Sequence, residues 1–193
     1  MPKSKTLPAA GLALILLTGG DAFAQDEQTT EELVELCTSC HGEEGRPIEP
    51  DYPIIWGQEF YYLYVQMRDY QAGRRENEIM QPIVADLSKD QRKAVAQVFA
   101  DKKWPRIGFA AEESDINAGK TAAGSGQCTQ GHLGGYNGYS RIPRLAGQNP
   151  AYLERTMLEF KERVRNNAPD KSTLFGAYDD ADITAMANFM AGL

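Results

Sequence analysis

Cys37, Thr38, Ser39, Cys40 and His41 form a C-x-x-C-H run. Two thiols at this spacing can add to the two vinyl groups of a porphyrin, and the adjoining imidazole then stands beneath the iron. A thioredoxin-like redox pair is a competing reading, but it belongs at a strand-to-helix junction, and no such pattern surrounds these residues. Half of a zinc site is another. Zinc takes further Cys or His ligands, and the first half of the chain supplies none. The run therefore predicts haem c joined to Cys37 and Cys40, with His41 as an axial iron ligand.

The iron also takes a sixth ligand. The chain's other histidine lies far downstream, at position 132, so a methionine sulfur is expected, an arrangement that raises the reduction potential. Met67 falls on the apolar stripe of a helix, where core packing is the simpler role. Met80 lies between two helices, where a loop can carry its sulfur across the haem face, and it is assigned as the ligand. Pro53 either makes a plain turn or presents its carbonyl to the other ring N–H of His41. Such a contact fixes the tautomer and makes the imidazole a better ligand.

A second run, Cys128-Thr129-Gln130-Gly131-His132, answers the first but has Gly131 where Cys40 stands. The match is in register with a wider repeat. A shift of 90 residues superposes Pro53 on Pro143, Gly57 on Gly147, Gln58 on Gln148, Tyr62 on Tyr152, Leu63 on Leu153, Met67 on Met157, Arg75 on Arg165 and Asn77 on Asn167, eight identities in 25 positions. A shift of 91 superposes Cys37 on Cys128 and His41 on His132.

The elements that must carry these residues are helical. Thr29 to Glu32 has the capping-box pattern and leads into the first Cys run. Phe60, Leu63, Tyr64, Met67 and Tyr70 make a 3.6-period stripe that stops at Gly73. Asn149 as cap and Pro150 at the first helical position open its counterpart. Ser88 to Gln91 is a second capping box, and Asp179 caps the last helix. No alternating strand pattern is present. Units of about 75 residues bury a marginal share of their surface, which favours a large group in each core.

Lys3 and Lys5 precede an apolar run from Leu7 to Leu17, and Ala22-Phe23-Ala24 has the form of a cleavage site. Residues 1–24 are expected to be a signal peptide cleaved after Ala24, with export to the periplasm; an uncleaved anchor is the alternative. No later stretch approaches the ~20 apolar residues of a membrane span, so stable membrane insertion is not expected. The chain carries a net charge of −7. That acidity disfavours nucleic acid and favours a partner with a basic docking patch. An odd cysteine count of three argues against a disulfide framework.

CTSCHGEEG, the segment from Tyr52 to Met80, and LSKDQRKAVAQVFA together resemble one half of a cytochrome c4, and IPRLAGQNPAYLERTMLEF resembles the other half. The cytochrome subunit of flavocytochrome c sulfide dehydrogenase is a more distant likeness. The resemblance implies an all-α fold of two tandem class I cytochrome c domains. Domain 1 would span 25–101, a linker 102–114 and domain 2 115–193. It implies Cys37 and Cys40 as thioether residues, His41 and Met80 as axial ligands, and Pro53 as the backbone partner of His41. It also implies an electron carrier, not an enzyme, that serves a terminal oxidase or a dehydrogenase.

Domain 2 departs from this pattern. Gly131 replaces a thiol, and Asp170 or Lys171 stands where Met80 has its counterpart. One reading keeps a second haem on Cys128 alone, with His132 below it and the sixth position open or filled by Lys171. Another makes domain 2 a haem-free packing or docking module, as in the cytochrome subunit of a dehydrogenase complex. The paired losses favour the haem-free module over an isolated change at position 131.

Overall fold

The structure, a computed structural model, describes Met1 and residues 28–193. The expected signal peptide lies outside the described residues. Among the described residues nine α-helices follow in order: α1 (Thr30–His41), α2 (Phe60–Gln71), α3 (Met80–Val84), α4 (Lys89–Ala100), α5 (Glu113–Ser125), α6 (Cys128–His132), α7 (Pro150–Lys161), α8 (Pro169–Phe175) and α9 (Asp180–Ala191). Among the described residues no strand forms, and the only β feature is an isolated bridge between Tyr139 and Ile142.

Helix starts follow local chemistry. Thr29 and Glu32 close a reciprocal capping box on α1, and Ser88 and Gln91 do the same on α4. Each box satisfies two of the N–H groups that a helix start otherwise leaves bare. Asp179 caps α9 by accepting from the Asp182 N–H. Asn149 behaves differently from the sequence expectation. Pro150 does open α7, but the Asn149 side chain makes no cap bond and instead donates to the Tyr52 carbonyl in the other half. A tertiary acceptor outcompetes the local one.

Two cores result. In the first, α1 and α2 pack on α4, burying Leu33, Tyr70, Val84, Val95 and Phe99. In the second, α5 and α7 pack on α9, burying Ala123, Leu153, Met157, Ile183, Met186 and Met190. The α5–α9 crossing is close because α5 offers Gly119 there. A Cβ at 119 would lie 2.2 Å from the Ala185 carbonyl oxygen. Helix α5 starts at Glu113, within the last two residues of the expected linker.

The two halves lock through crossed amides. Gln58 accepts from the Arg144 N–H at 2.8 Å and donates to the Arg144 carbonyl at 3.0 Å. Gln148 accepts from the Ile54 N–H at 2.7 Å and donates to the Ile54 carbonyl at 3.0 Å. The repeated Gly-Gln pair thus serves contact between the halves, an assignment the sequence reading did not make. Gly57 adopts φ +67°, and a Cβ there would lie 2.7 Å from the Trp104 backbone nitrogen.

Candidate haem site and its counterpart

The last turn of α1 carries Cys37, Cys40 and His41. Gly42 follows at φ +86°, where any Cβ would collide with the Arg46 carbonyl oxygen. The chain therefore turns sharply after His41 and brings Pro53 back to it. His41 Nδ1 donates to the Pro53 carbonyl oxygen at 2.9 Å. A carbonyl can only accept, so Nδ1 carries the proton and Nε2 keeps its lone pair. Burial holds the His41 pKa below its ordinary value, against the opposing pull of the Pro53 bond. The ring is thus neutral at pH 7, the form that binds a metal.

Cys37, Cys40, His41, Pro53 and Met80 all line one cavity of about 680 Å³. Met80 is the first residue of α3 and not part of a loop, as the sequence suggested. Asn77 makes this turn: its side-chain oxygen accepts from the Met80 N–H at 2.8 Å and from the Ile79 N–H at 3.1 Å. Met67 lines the same cavity from α2 while packing on the first core. The three cysteines are free. Burial pushes the Cys37 thiol up to about 11, so it stays protonated as a thiol at pH 7. Trp56 is not a wall of the cavity; it packs over Gly45 with Lys102 stacked on its ring.

The cavity continues into the second half, where Cys128, Gly131, His132, Pro143, Leu174 and Phe175 line it. His132 Nδ1 donates to the Pro143 carbonyl oxygen at 2.9 Å, the same contact at the same length as in the first half. Lys171 also lines the cavity, whereas Asp170 is 78% exposed in its side chain. Lys171 and not Asp170 is therefore the spatial counterpart of Met80. Burial lowers the His132 pKa, and the Lys171 charge lowers it further. Burial raises the Cys128 pKa, and Lys171 opposes the rise.

Between the halves lie two guanidinium groups. Arg75 and Arg165 are 6% and 5% exposed. Arg75 donates to Gln66 at 2.9 Å and to the Tyr152 hydroxyl at 3.2 Å. Arg165 donates to Gln66 at 2.9 Å, to Asn167 at 3.0 Å and to the Tyr62 hydroxyl at 3.5 Å. Burial would raise the Tyr152 pKa, but Arg75 and Arg165 outweigh it and bring the hydroxyl down to about 7. Neither guanidinium has a carboxylate partner among the described residues. Thr156 Oγ1 is buried on the cavity wall without a hydrogen-bond partner among them.

This arrangement suits haem. An apolar slot holds thiols and a neutral imidazole at one edge, and buried cations face the cavity where carboxylates would balance them. Two all-α halves of this kind define a tandem class I c-type cytochrome. No family model matches the chain. It is 29% identical to a cytochrome c4 of Pseudomonas aeruginosa, over 92% of this chain and 93% of that one. It is 30% identical to a thiosulfate dehydrogenase electron acceptor of Thiomonas intermedia, over 80% of this chain and 77% of that one. Its fold matches the reduced recombinant cytochrome c4 from Pseudomonas stutzeri with a TM-score of 0.76 and 25% identity, covering 86% of this chain and all of that one. The chain belongs to the cytochrome c4 family. It is a haem c electron carrier and not an enzyme. No helix among the described residues is long and apolar enough to cross a membrane.

Proposed function

We propose that the chain is exported to the periplasm after cleavage at Ala24 and carries single electrons on a haem held in residues 25–101. Cys37 and Cys40 would hold the porphyrin through two thioethers, and His41 and Met80 would ligate its iron. When bound, the haem supplies a one-electron couple between ferric and ferrous iron. The protein fixes its ligands and keeps water from them. Pro53 sets the His41 tautomer, so Nε2 can face the metal. Asn77 starts α3 and so sets where Met80 sits.

The observation that carries this reading is the His41–Pro53 hydrogen bond beside two free thiols and Met80 on one cavity. Met80→Ala tests it. The sulfur-to-iron absorption band should disappear and the potential should fall, because sulfur favours ferrous iron. An unchanged spectrum would remove Met80 from the assignment.

A dehydrogenase is the electron donor that the relatives favour, since one is named as the electron acceptor of a thiosulfate dehydrogenase. The net charge of −7 suits a donor with a basic docking face, and reduction should then slow as salt rises. A terminal oxidase fits as the acceptor. The linker is placed at 102–114 and domain 2 at 115–193, although α5 of the second core already begins at Glu113. A haem-free docking role for domain 2 has less support, because that half keeps the histidine–carbonyl contact and its share of the cavity.

A further inference from the structure

The second half has lost one thiol and one methionine, yet the space they served persists. Gly131 lines the cavity, and a Cβ built on it meets no atom within 4 Å. Nothing has moved in to fill the missing side chain's place. Cys128 and His132 flank that opening on α6, and the His132–Pro143 contact repeats the His41–Pro53 contact at 2.9 Å. The carbonyl can only accept, so the contact places the proton on His132 Nδ1. This leaves the His132 Nε2 lone pair free.

The opposite wall is what differs. Helix α8 replaces α3, and Lys171 lies in its first turn. The Lys171 side chain is 36% exposed, and its nearest carboxylate is the exposed Asp170 at 3.8 Å. Lys171 also lines the cavity that Cys128 and His132 face, so its amine is the nitrogen on the wall where the first half has Met80. Arg165 stands in this half as Arg75 does in the other, buried and without a carboxylate partner among the described residues.

We infer that the second half binds its own haem by a single thioether to Cys128, with His132 and Lys171 as axial nitrogen ligands in place of the His41 and Met80 pair. The inference deepens the reading of the chain as a haem c carrier and rests on it, but it does not depend on Met80. Attachment adds the Cys128 S–H across one vinyl double bond: sulfur bonds to one vinyl carbon and hydrogen to the other. Nothing leaves and no oxidant is needed. The vinyl that a thiol at 131 would have met stays intact. Two nitrogen ligands favour ferric iron more than nitrogen and sulfur do, so this second centre has the lower potential of the two. Electrons taken up at the second half would then run downhill to the first.

Intact mass of the full mature protein, purified from a host with c-type maturation, is the first test. The expected result is the mass of the polypeptide plus two haems. Cys128→Ser should retain one haem covalently. Only one haem in the wild type would overturn the inference while leaving the first site intact. Loss of all covalent haem in Cys37→Ser/Cys40→Ser with Cys128 present would overturn it as well. No haem in the wild type would overturn the carrier reading itself.

The pyridine haemochrome band of the wild type should lie between those of doubly and singly attached haem. Gly131→Cys should move it fully to the doubly attached position, since the site has room for the thiol. An unmoved band in a two-haem Gly131→Cys protein would overturn the single thioether. Lys171→Ala should convert half of the low-spin signal to a high-spin, carbon monoxide-binding form, and Lys171→Met should restore low spin with a higher second potential. Unchanged magnetic resonance spectra in both variants would remove Lys171 as a ligand.

Discussion

Gln148 holds both backbone polar groups of Ile54, accepting from its N–H at 2.7 Å and donating to its carbonyl at 3.0 Å. Ile54 follows Pro53, whose carbonyl orients His41. A side chain from one half thus braces the segment that sets the iron ligand of the other. Gln58 returns the contact at Arg144, the residue after Pro143. Each half therefore helps to fix the histidine of its neighbour.

Gln148→Ala should destabilise the protein by about 2–4 kcal/mol, because two backbone groups of a residue only 1% exposed would lose their partners. Denaturant unfolding with unchanged slope is the measurement. If the two halves behave as independent domains, the midpoint will not move. A loss of more than that range would mean that the halves separate as well.

Asn77→Ala should cost about 1 kcal/mol as a lost helix cap and also loosen Met80. Asn77 holds the Met80 and Ile79 N–H groups, so α3 would fray at the residue that carries the sulfur. Added imidazole should displace the sulfur band at lower concentration than in the wild type. Asn77→Asp keeps the acceptor and should restore resistance to imidazole. A purely structural role would lower stability in Asn77→Ala without moving the imidazole titration.

Much of the fold and the site is legible in the sequence. Capping at Thr29, Ser88 and Asp179 could be read because the donors and acceptors sit within four residues of one another. The all-α class and the haem motif were legible for the same reason, since each is written in short spacing. Asn149 misled because its best acceptor, the Tyr52 carbonyl, is 97 residues away. Tyr62, Gln66, Tyr152 and Arg165 were visible only as repeated letters or not at all. Their meaning depends on how two halves face each other, which no local pattern records. The choice between Asp170 and Lys171 was likewise open, because one residue of register decides which side chain faces the cavity.

Tyr152→Phe should weaken the contact between halves without touching the C-x-x-C-H turn. It removes the oxygen that Arg75 reaches at 3.2 Å and leaves that buried guanidinium with Gln66. Removing one acceptor from a buried charge costs about 1.5–3 kcal/mol. The visible spectrum of the first haem should be unaltered, while thermal unfolding should come earlier or split into two steps. An unchanged thermal midpoint would mean that another acceptor already neutralises Arg75.

Acid should weaken the fold through Asp69. Its carboxylate pairs with Arg74 at 2.8 Å and Arg68 at 3.1 Å and accepts from Asn167 of the other half at 3.0 Å. Burial would raise its pKa, but the bonds from Asn167, Arg74 and Arg68 together win, and the folded value lies below the ordinary one. A carboxyl whose pKa is depressed by folding stabilises the fold fully above its unfolded pKa of about 3.9. That contribution falls away as the pH drops through the folded value. The wild type should therefore lose stability steeply below about pH 4, and Asp69→Asn should lose less over the same interval while being weaker at neutral pH. Thermal midpoints of both proteins at pH 7 and in the acid limb decide it. Parallel falls in the two would place the acid-sensitive group elsewhere.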